Sequence, residues 1–190
     1  MRGSHRTVCF ATSNERKFRE VSFVLHRFGI NLKRLPGKGL EIQSDDIGEV
    51  AKFAATRAAK VCRKPVIVED TGLFINALGG FPGPYASFVF RSLGTEGVLK
   101  LLAGSEDRRA RFESAVAYCE PDGKPRVFRG SVKGRIPKGA FGREGFGFDP
   151  IFVPDARRVT LAEMKIEEKC RVSHRGAAAR KFGVWYGKKA

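Results

Sequence analysis

Two kinds of strand pattern coexist in this chain, and together they constrain its fold more than any other feature. Val8 to Ala11 and Pro65 to Val68 are short continuous apolar runs, the pattern of strands buried on both faces. Arg111 to Tyr118 and Arg126 to Arg135 instead alternate, and Pro121-Asp122-Gly123 between them predicts a hairpin turn. Helical periods separate these strands. Thr12-Ser13-Asn14 supplies an N-cap, after which Phe18, Val21, Leu25 and Phe28 recur at helical spacing. A second strand is predicted over Asn31 to Leu35, ended by Pro36-Gly37-Lys38-Gly39, with Leu40 to Gln43 a short extended piece. Ser44-Asp45-Asp46 then opens a long helix, its apolar face running through Ile47, Val50, Ala54, Ala58 and Val61.

The rest of the chain is more punctuated. Gly79-Gly80-Phe81-Pro82-Gly83-Pro84-Tyr85 leads into short helices as far as Leu102, and Gly142 to Asp149 carries too much glycine for regular structure. Two helices close the chain, from Leu161 to Lys169 and from Ser173 as cap through Phe182 and Trp185. Helices mixed with buried and alternating strands predict an α/β fold, a mixed β-sheet flanked by helices. The length suggests one domain over residues 6–190, or two lobes sharing one sheet. Met1-Arg2-Gly3-Ser4-His5 resembles an expression-vector leader and is left out of the fold.

Composition narrows the partners. With 42% hydrophobic residues and 16 Phe the chain can bury a core, which excludes global disorder. No apolar run approaches the ~20 residues of a transmembrane helix. Thirty-six Lys and Arg against 20 Asp and Glu leave a net charge of +16, which calls for an anionic partner: nucleic acid, an acidic membrane surface or a small polyphosphate. Cys9, Cys62, Cys119 and Cys170 are scattered without a C-x-x-C pair, and the first three lie in apolar surroundings as small buried hydrophobes. A reducing, intracellular setting follows.

Four segments could carry chemistry. The turn Thr12-Ser13-Asn14 opens a helix whose N–H groups and dipole suit a phosphate, with Lys17 in the first turn. It is also simply a capped helix that carries a lysine, and no P-loop glycine pattern is present. Glu69-Asp70 ends a buried strand and Glu41 precedes the long helix; such carboxylates hold magnesium in phosphate-processing enzymes, or pair with arginine. Phe146-Gly147-Phe148-Asp149-Pro150 could stack a purine, or tuck its rings into the core. Finally, Lys169, Ser173, His174 and Arg175 gather around a helix start.

Taken in order, Phe10-Ala11-Thr12-Ser13-Asn14-Glu15-Arg16-Lys17, Val68-Glu69-Asp70-Thr71-Gly72-Leu73, Ala77-Leu78-Gly79-Gly80-Phe81-Pro82-Gly83-Pro84-Tyr85, Phe146 to Phe152, and Ala162-Glu163-Met164 through Ser173-His174-Arg175 resemble the inosine triphosphate pyrophosphatase family. The resemblance runs from about residue 7 to 186. It implies two lobes with a nucleotide-binding cleft between them, and hydrolysis of ITP, dITP and XTP to the monophosphate and pyrophosphate. Carried over by motif, Thr12, Asn14 and Lys17, with Ser13 beside them, meet the triphosphate. Asp70 is the general base or a metal ligand, Glu41 the metal-binding glutamate, Glu69 a further candidate ligand, and Thr71 lies close to the substrate. Phe146, Gly147, Phe148 and Asp149 form the wall that holds the base, and Lys169, Ser173, His174 and Arg175 supply the remaining contacts.

The resemblance further implies Mg2+ as cofactor, a cytoplasmic enzyme acting on the nucleotide pool, no stable nucleic-acid or membrane partner, and a homodimer formed through part of Gly79 to Leu102. Two positions depart from the family pattern. Cys170 stands where asparagine is usual, and Phe148 where tyrosine or tryptophan is commoner. The rival readings are a basic nucleic-acid-binding module, suggested by the charge and the Arg/Phe-rich 108–152 region, and a pyrophosphatase for other modified nucleotides.

Overall fold

The computed structural model describes residues 6–35, 42–155 and 157–189. Residues 1–5, the Pro36-to-Gly39 break, Leu40 and Glu41 therefore lie outside the described residues. β1 (Arg6–Ala11) turns at Thr12-Ser13-Asn14 into α1 (Glu15–His26). The Asn14 side chain accepts from the N–H groups of Arg16 at 3.0 Å and Lys17 at 3.1 Å, partnering two of the donors that a helix start leaves open. β2 (Ile30–Leu35) runs parallel to β1. α2 (Ile47–Cys62), capped by Asp46, leads to β3 (Val66–Ile75), which is parallel to β1 over Val66 and Ile67 alone. After the two-residue β4 (Pro82–Gly83) comes α3 (Ala86–Leu101), interrupted at Gly94 where φ is +64°. β5 (Arg109–Cys119) and β6 (Arg126–Arg135) form the expected hairpin, and β7 (Val153–Pro154) closes the sheet. α4 (Ile166–Val172) and α5 (His174–Lys188) complete the chain. The strand order is β2-β1-β3-β5-β6-β7, with β4 paired to β3, so the sheet is mixed as expected.

β3, β5 and β6 are long enough to serve two regions. At one end α1 and α5 cover one face around Val21, Leu25 and Phe182, and α2 covers the other with Ala51, Ala55 and Ala59. At the other end α3 and the 148–164 segment build a separate core around Leu73, Phe112, Ile151 and Phe152. These are the two lobes on one sheet.

Three local expectations change. β3 does not end at Val68 but continues to Ile75, paired to β5 along its whole length, so Glu69 and Asp70 sit inside a strand. The alternation hides this because polar side chains occupy both faces there. The stretch Leu161 to Lys169 is not one helix: a short 3-10 turn over Leu161–Glu163, closed by a Thr160/Glu163 capping box, is separated from α4 by extended Met164. Met164 is buried in the core, and a continuous helix would swing it away. The α2 face is displaced too. Ile47, Ala51, Ala55 and Ala59 are buried, whereas Val61 is 77% exposed. Alanines face the sheet because the helix packs close against Ala115 and Ala117 of β5.

Candidate active site

β1 pairs with β3 only as far as Ile67, and β4 joins β3 only from Leu73. Between them, Val68 to Gly72 has β5 on one side and, among the described residues, no strand on the other. The gap lies at the carboxyl end of β1, where α1 and α2 leave toward opposite faces, the place where open α/β sheets bind ligands. A cleft of about 1270 Å3 opens there. Thr12, Ser13, Asn14 and Lys17 line it from the start of α1, and Glu69 and Asp70 from β3. Its other walls come from α2 (Val50, Ala54, Arg57, Ala58, Val61) and from the start of α3 (Tyr85, Ser87, Phe88, Arg91).

Successive strand residues point to opposite faces, so Glu69 and Asp70 diverge. Asp70 lies on the α2 side with Val68. Glu69 lies on the α1/α5 side and is fully buried among cations and hydroxyls. One carboxylate oxygen accepts from Ser114 at 2.6 Å and Thr71 at 2.5 Å and faces the Arg175 guanidinium at 3.1 Å; the other meets the Lys17 ammonium at 2.9 Å. Burial would raise its pKa, but the Arg175 and Lys17 charges outweigh it and hold the carboxyl far below the usual glutamate range. Both Glu69 oxygens are thus engaged by cations and hydroxyls in this structure.

Behind it lies a buried ionic network. Lys169, 2% exposed, donates to Glu20 at 2.5 Å and to Asp149 at 2.7 Å. Arg175, 3% exposed, donates to Glu20 at 2.6 Å and to Thr71 at 3.0 Å. Burial opposes ionisation of Glu20, yet Arg175 and Lys169 keep its pKa low; at Asp149 burial prevails over Lys169 and pushes the pKa up. Asp149 also accepts from the Phe146 N–H at 2.6 Å, which closes the glycine loop, and a Cβ at Gly145 (φ +72°) would collide with its carboxylate. Arg16 ties the same loop to α1 through the Gly145 carbonyl at 2.5 Å.

The two rings of that loop part company. Phe148 is buried, edge-on to Phe90 at 5.4 Å, so it belongs to the core; Phe146 lies beneath the Lys169 and Arg175 cations, each 5.0 Å from its centroid. Gly147, at φ +62°, makes the bend between them. Ser173 caps α5 by accepting from Gly176 N–H at 3.2 Å. His174 stacks on Phe112 at 4.5 Å with both ring nitrogens buried and unpartnered among the described residues. Burial, reinforced by Arg175, drives its pKa well below the usual value, so the imidazole is neutral. Cys170 points into the core toward the Glu20 carbonyl at 3.7 Å, and burial pushes its thiol up to about 12. Cys9 and Cys119 are buried as expected, but Cys62 is only partly so and lines the cleft.

The structure thus gathers Thr12, Ser13, Asn14, Lys17, Glu69 and Asp70 on the cleft. It places Thr71, Phe146, Gly147, Phe148, Asp149, Lys169, Ser173, His174 and Arg175 in or beside the buried network instead. Sequence reasoning missed Glu20 and Ser114. A signal for Glu20 existed: it is an acid among the apolar positions of α1, three residues from Lys17.

An α/β sheet with a cleft at its switch point, cations at a helix start and a carboxylate on the facing strand is the architecture of a phosphate-handling enzyme. Comparison with known proteins makes this specific: the chain belongs to the Ham1 family, whose model matches residues 8–185. It is 50% identical over 179 residues to the dITP/XTP pyrophosphatase of Methanopyrus kandleri, covering 94% of this chain and 95% of that one. The dITP/XTP pyrophosphatase of Ignicoccus hospitalis is likewise 50% identical over 178 residues, at 93% and 95% coverage. Among solved structures, a HAM1 protein from Coxiella burnetii superposes with a TM-score of 0.84 at 29% identity, covering 97% of this chain and all of that one.

Proposed function

We propose that this chain hydrolyses non-standard purine nucleoside triphosphates, ITP, dITP and XTP, to the monophosphate and pyrophosphate. The observation that carries the reading is the cleft joining the Thr12–Lys17 turn to Asp70, in a chain half identical to dITP/XTP pyrophosphatases. Asp70 orients and deprotonates the attacking water. Lys17, held by Glu69, stabilises charge growing on the phosphates.

The donor chemistry suits a hard divalent cation. Asp70 presents oxygen to the cleft, and Mg2+ binds through one or two carboxylates plus substrate phosphates. Asp70 and Glu41 would hold it, and when bound it would neutralise phosphate charge and polarise the phosphoryl centre. The base end falls to the neutral His174, Arg175 and the Phe146 ring. Donors from His174 and Arg175 accept a 6-keto purine and are left unpaired by the 6-amino group of adenine.

The exposed Phe81, Tyr85, Phe88, Phe90 and Leu93 support a homodimer formed through α3 and the turn before it. The natural setting is the cytoplasmic nucleotide pool. Among the described residues no helix is long and apolar enough to cross a membrane. A panel of ITP, dITP, XTP, GTP, ATP and modified pyrimidine triphosphates, assayed with Mg2+ for pyrophosphate release, tests the reading. Turnover is expected for the first three above the rest, and equal turnover of ATP and ITP would refute it.

A further inference from the structure

The cations that the motifs assign to the substrate already have partners. Lys17 faces Glu69, Lys169 lies between Glu20 and Asp149, and Arg175 lies between Glu20 and Glu69. Three carboxylates meet three cations. This group carries no surplus positive charge to attract a polyphosphate, and a divalent cation at Asp70 offsets only the phosphates nearest to it.

Two cleft-lining residues supply what is missing. Arg57 belongs to the α2 stripe that runs through Val50, Ala54, Ala58 and Val61 along the cleft. Arg91 lies one turn after Ser87 on α3, and its guanidinium is held there by a hydrogen bond to the Ser87 hydroxyl at 2.7 Å. Both are exposed, and among the described residues neither meets a carboxylate. They reach the cleft from two different helices, and guanidinium groups match phosphate oxygens in geometry as well as charge.

We infer that Arg57 and Arg91 form a distal phosphate clamp, which holds the pyrophosphate end of the substrate and makes the site sensitive to the number of phosphates. The inference rests on the proposed triphosphate hydrolysis and adds residues that the motifs do not mark. The buried network then holds the base and its neighbouring groups in shape, while the clamp supplies the net attraction. Because the clamp acts on the leaving group rather than on the nucleoside, it separates tri- from monophosphates without reading the base.

The test is steady-state kinetics of Arg57→Gln, Arg91→Gln, the double variant and the two lysine replacements, with IMP as a competitive inhibitor and melting temperature recorded for each. Each glutamine variant is expected to raise KM for ITP about ten-fold, the scale of one charge-assisted hydrogen bond. The double variant is expected to raise it further, with kcat, melting temperature and the Ki of IMP kept within about two-fold of wild type. Lysine is expected to restore part of the loss, supplying the charge without the fit of the guanidinium to phosphate oxygens. An unchanged KM for ITP, or a Ki for IMP that rises in step with that KM, would overturn the clamp. Failure of the wild-type chain to hydrolyse ITP would overturn the proposed function instead.

Discussion

Glu69 and Asp70 are neighbours in sequence with the same functional group, yet the two faces of β3 give them opposite tasks. On the α1/α5 face the Glu69 side chain meets two cations and two hydroxyls and is buried, although the residue borders the cleft. On the α2 face Asp70 lines a cleft wide enough for a ligand. The first environment favours the charged carboxylate and pairs both its oxygens, which suits architecture. The second places a carboxylate on the wall of a ligand-sized cleft, the setting that the proposed chemistry needs. A strand that runs through both regions lets one backbone carry a cleft-lining carboxylate on one face and an ion-paired one on the other.

The comparison breaks most visibly at its buried side. Glu69→Gln leaves Lys17 and Arg175 facing a neutral amide, and removing one partner of a buried ion pair costs about 3–5 kcal/mol. The expected result is a large fall in melting temperature. The same network sets the acid response. Glu69 and Glu20 have folded pKa values below their ordinary 4.5, so their contribution is fully present above that value and is lost as pH falls through the lower folded values. Asp149, raised by burial, works the other way and softens the loss. Unfolding curves from pH 7 downward should therefore show stability falling below about pH 4.5, and falling less steeply in the Gln variant. Equal slopes in the two proteins would mean that Glu69 is not the carboxylate being titrated.

The cleft side breaks differently. Asp70→Asn keeps shape and hydrogen bonding but removes the charge and basicity, so turnover of ITP is expected to fall at least ~100-fold with little change in melting temperature. A matching loss of stability would place Asp70 with Glu69 as a structural acid, and near-normal turnover would remove it from catalysis.

How far the sequence reaches differs between the two faces for the same reason. The Thr12-Ser13-Asn14 cap and the Pro121-Asp122-Gly123 hairpin are local, set by side chains within a few residues of the backbone they partner, and both were legible. The direction of Glu69 depends on cations 52 and 106 positions away in the chain, on α1 and α5, which no local pattern encodes. Glu20 stood out as an acid on an apolar helix face, but its task was hidden for a related reason: its partners Lys169 and Arg175 lie 149 and 155 positions away in the chain. The glycine loop shows an intermediate case. Its irregularity was plain from composition, but which ring turns inward is decided by Phe90 on α3 for Phe148 and by the buried cations for Phe146.

The smallest contrast lies on α2, where the sequence favours the wrong stripe. Val50, Ala54, Ala58 and Val61 form the more hydrophobic row, yet the sheet takes Ala51, Ala55 and Ala59. Small side chains win because β5 presents Ala115, Ala117 and Cys119 at that contact, and a close approach buries more backbone and neighbouring surface than a valine could. The valine row is left along the cleft, where it borders the space that Arg57 also lines. Ala55→Leu should then force the helix away from the sheet and cost about 1–3 kcal/mol by overpacking. Val61→Ser, at the exposed end of the other row, should stay within about 0.5 kcal/mol of wild type. Chemical denaturation of the two variants side by side checks the pair. Were Val61→Ser the more damaging, the stripe along the cleft would be a packing surface, and the space between α2 and α3 would be closed to a ligand.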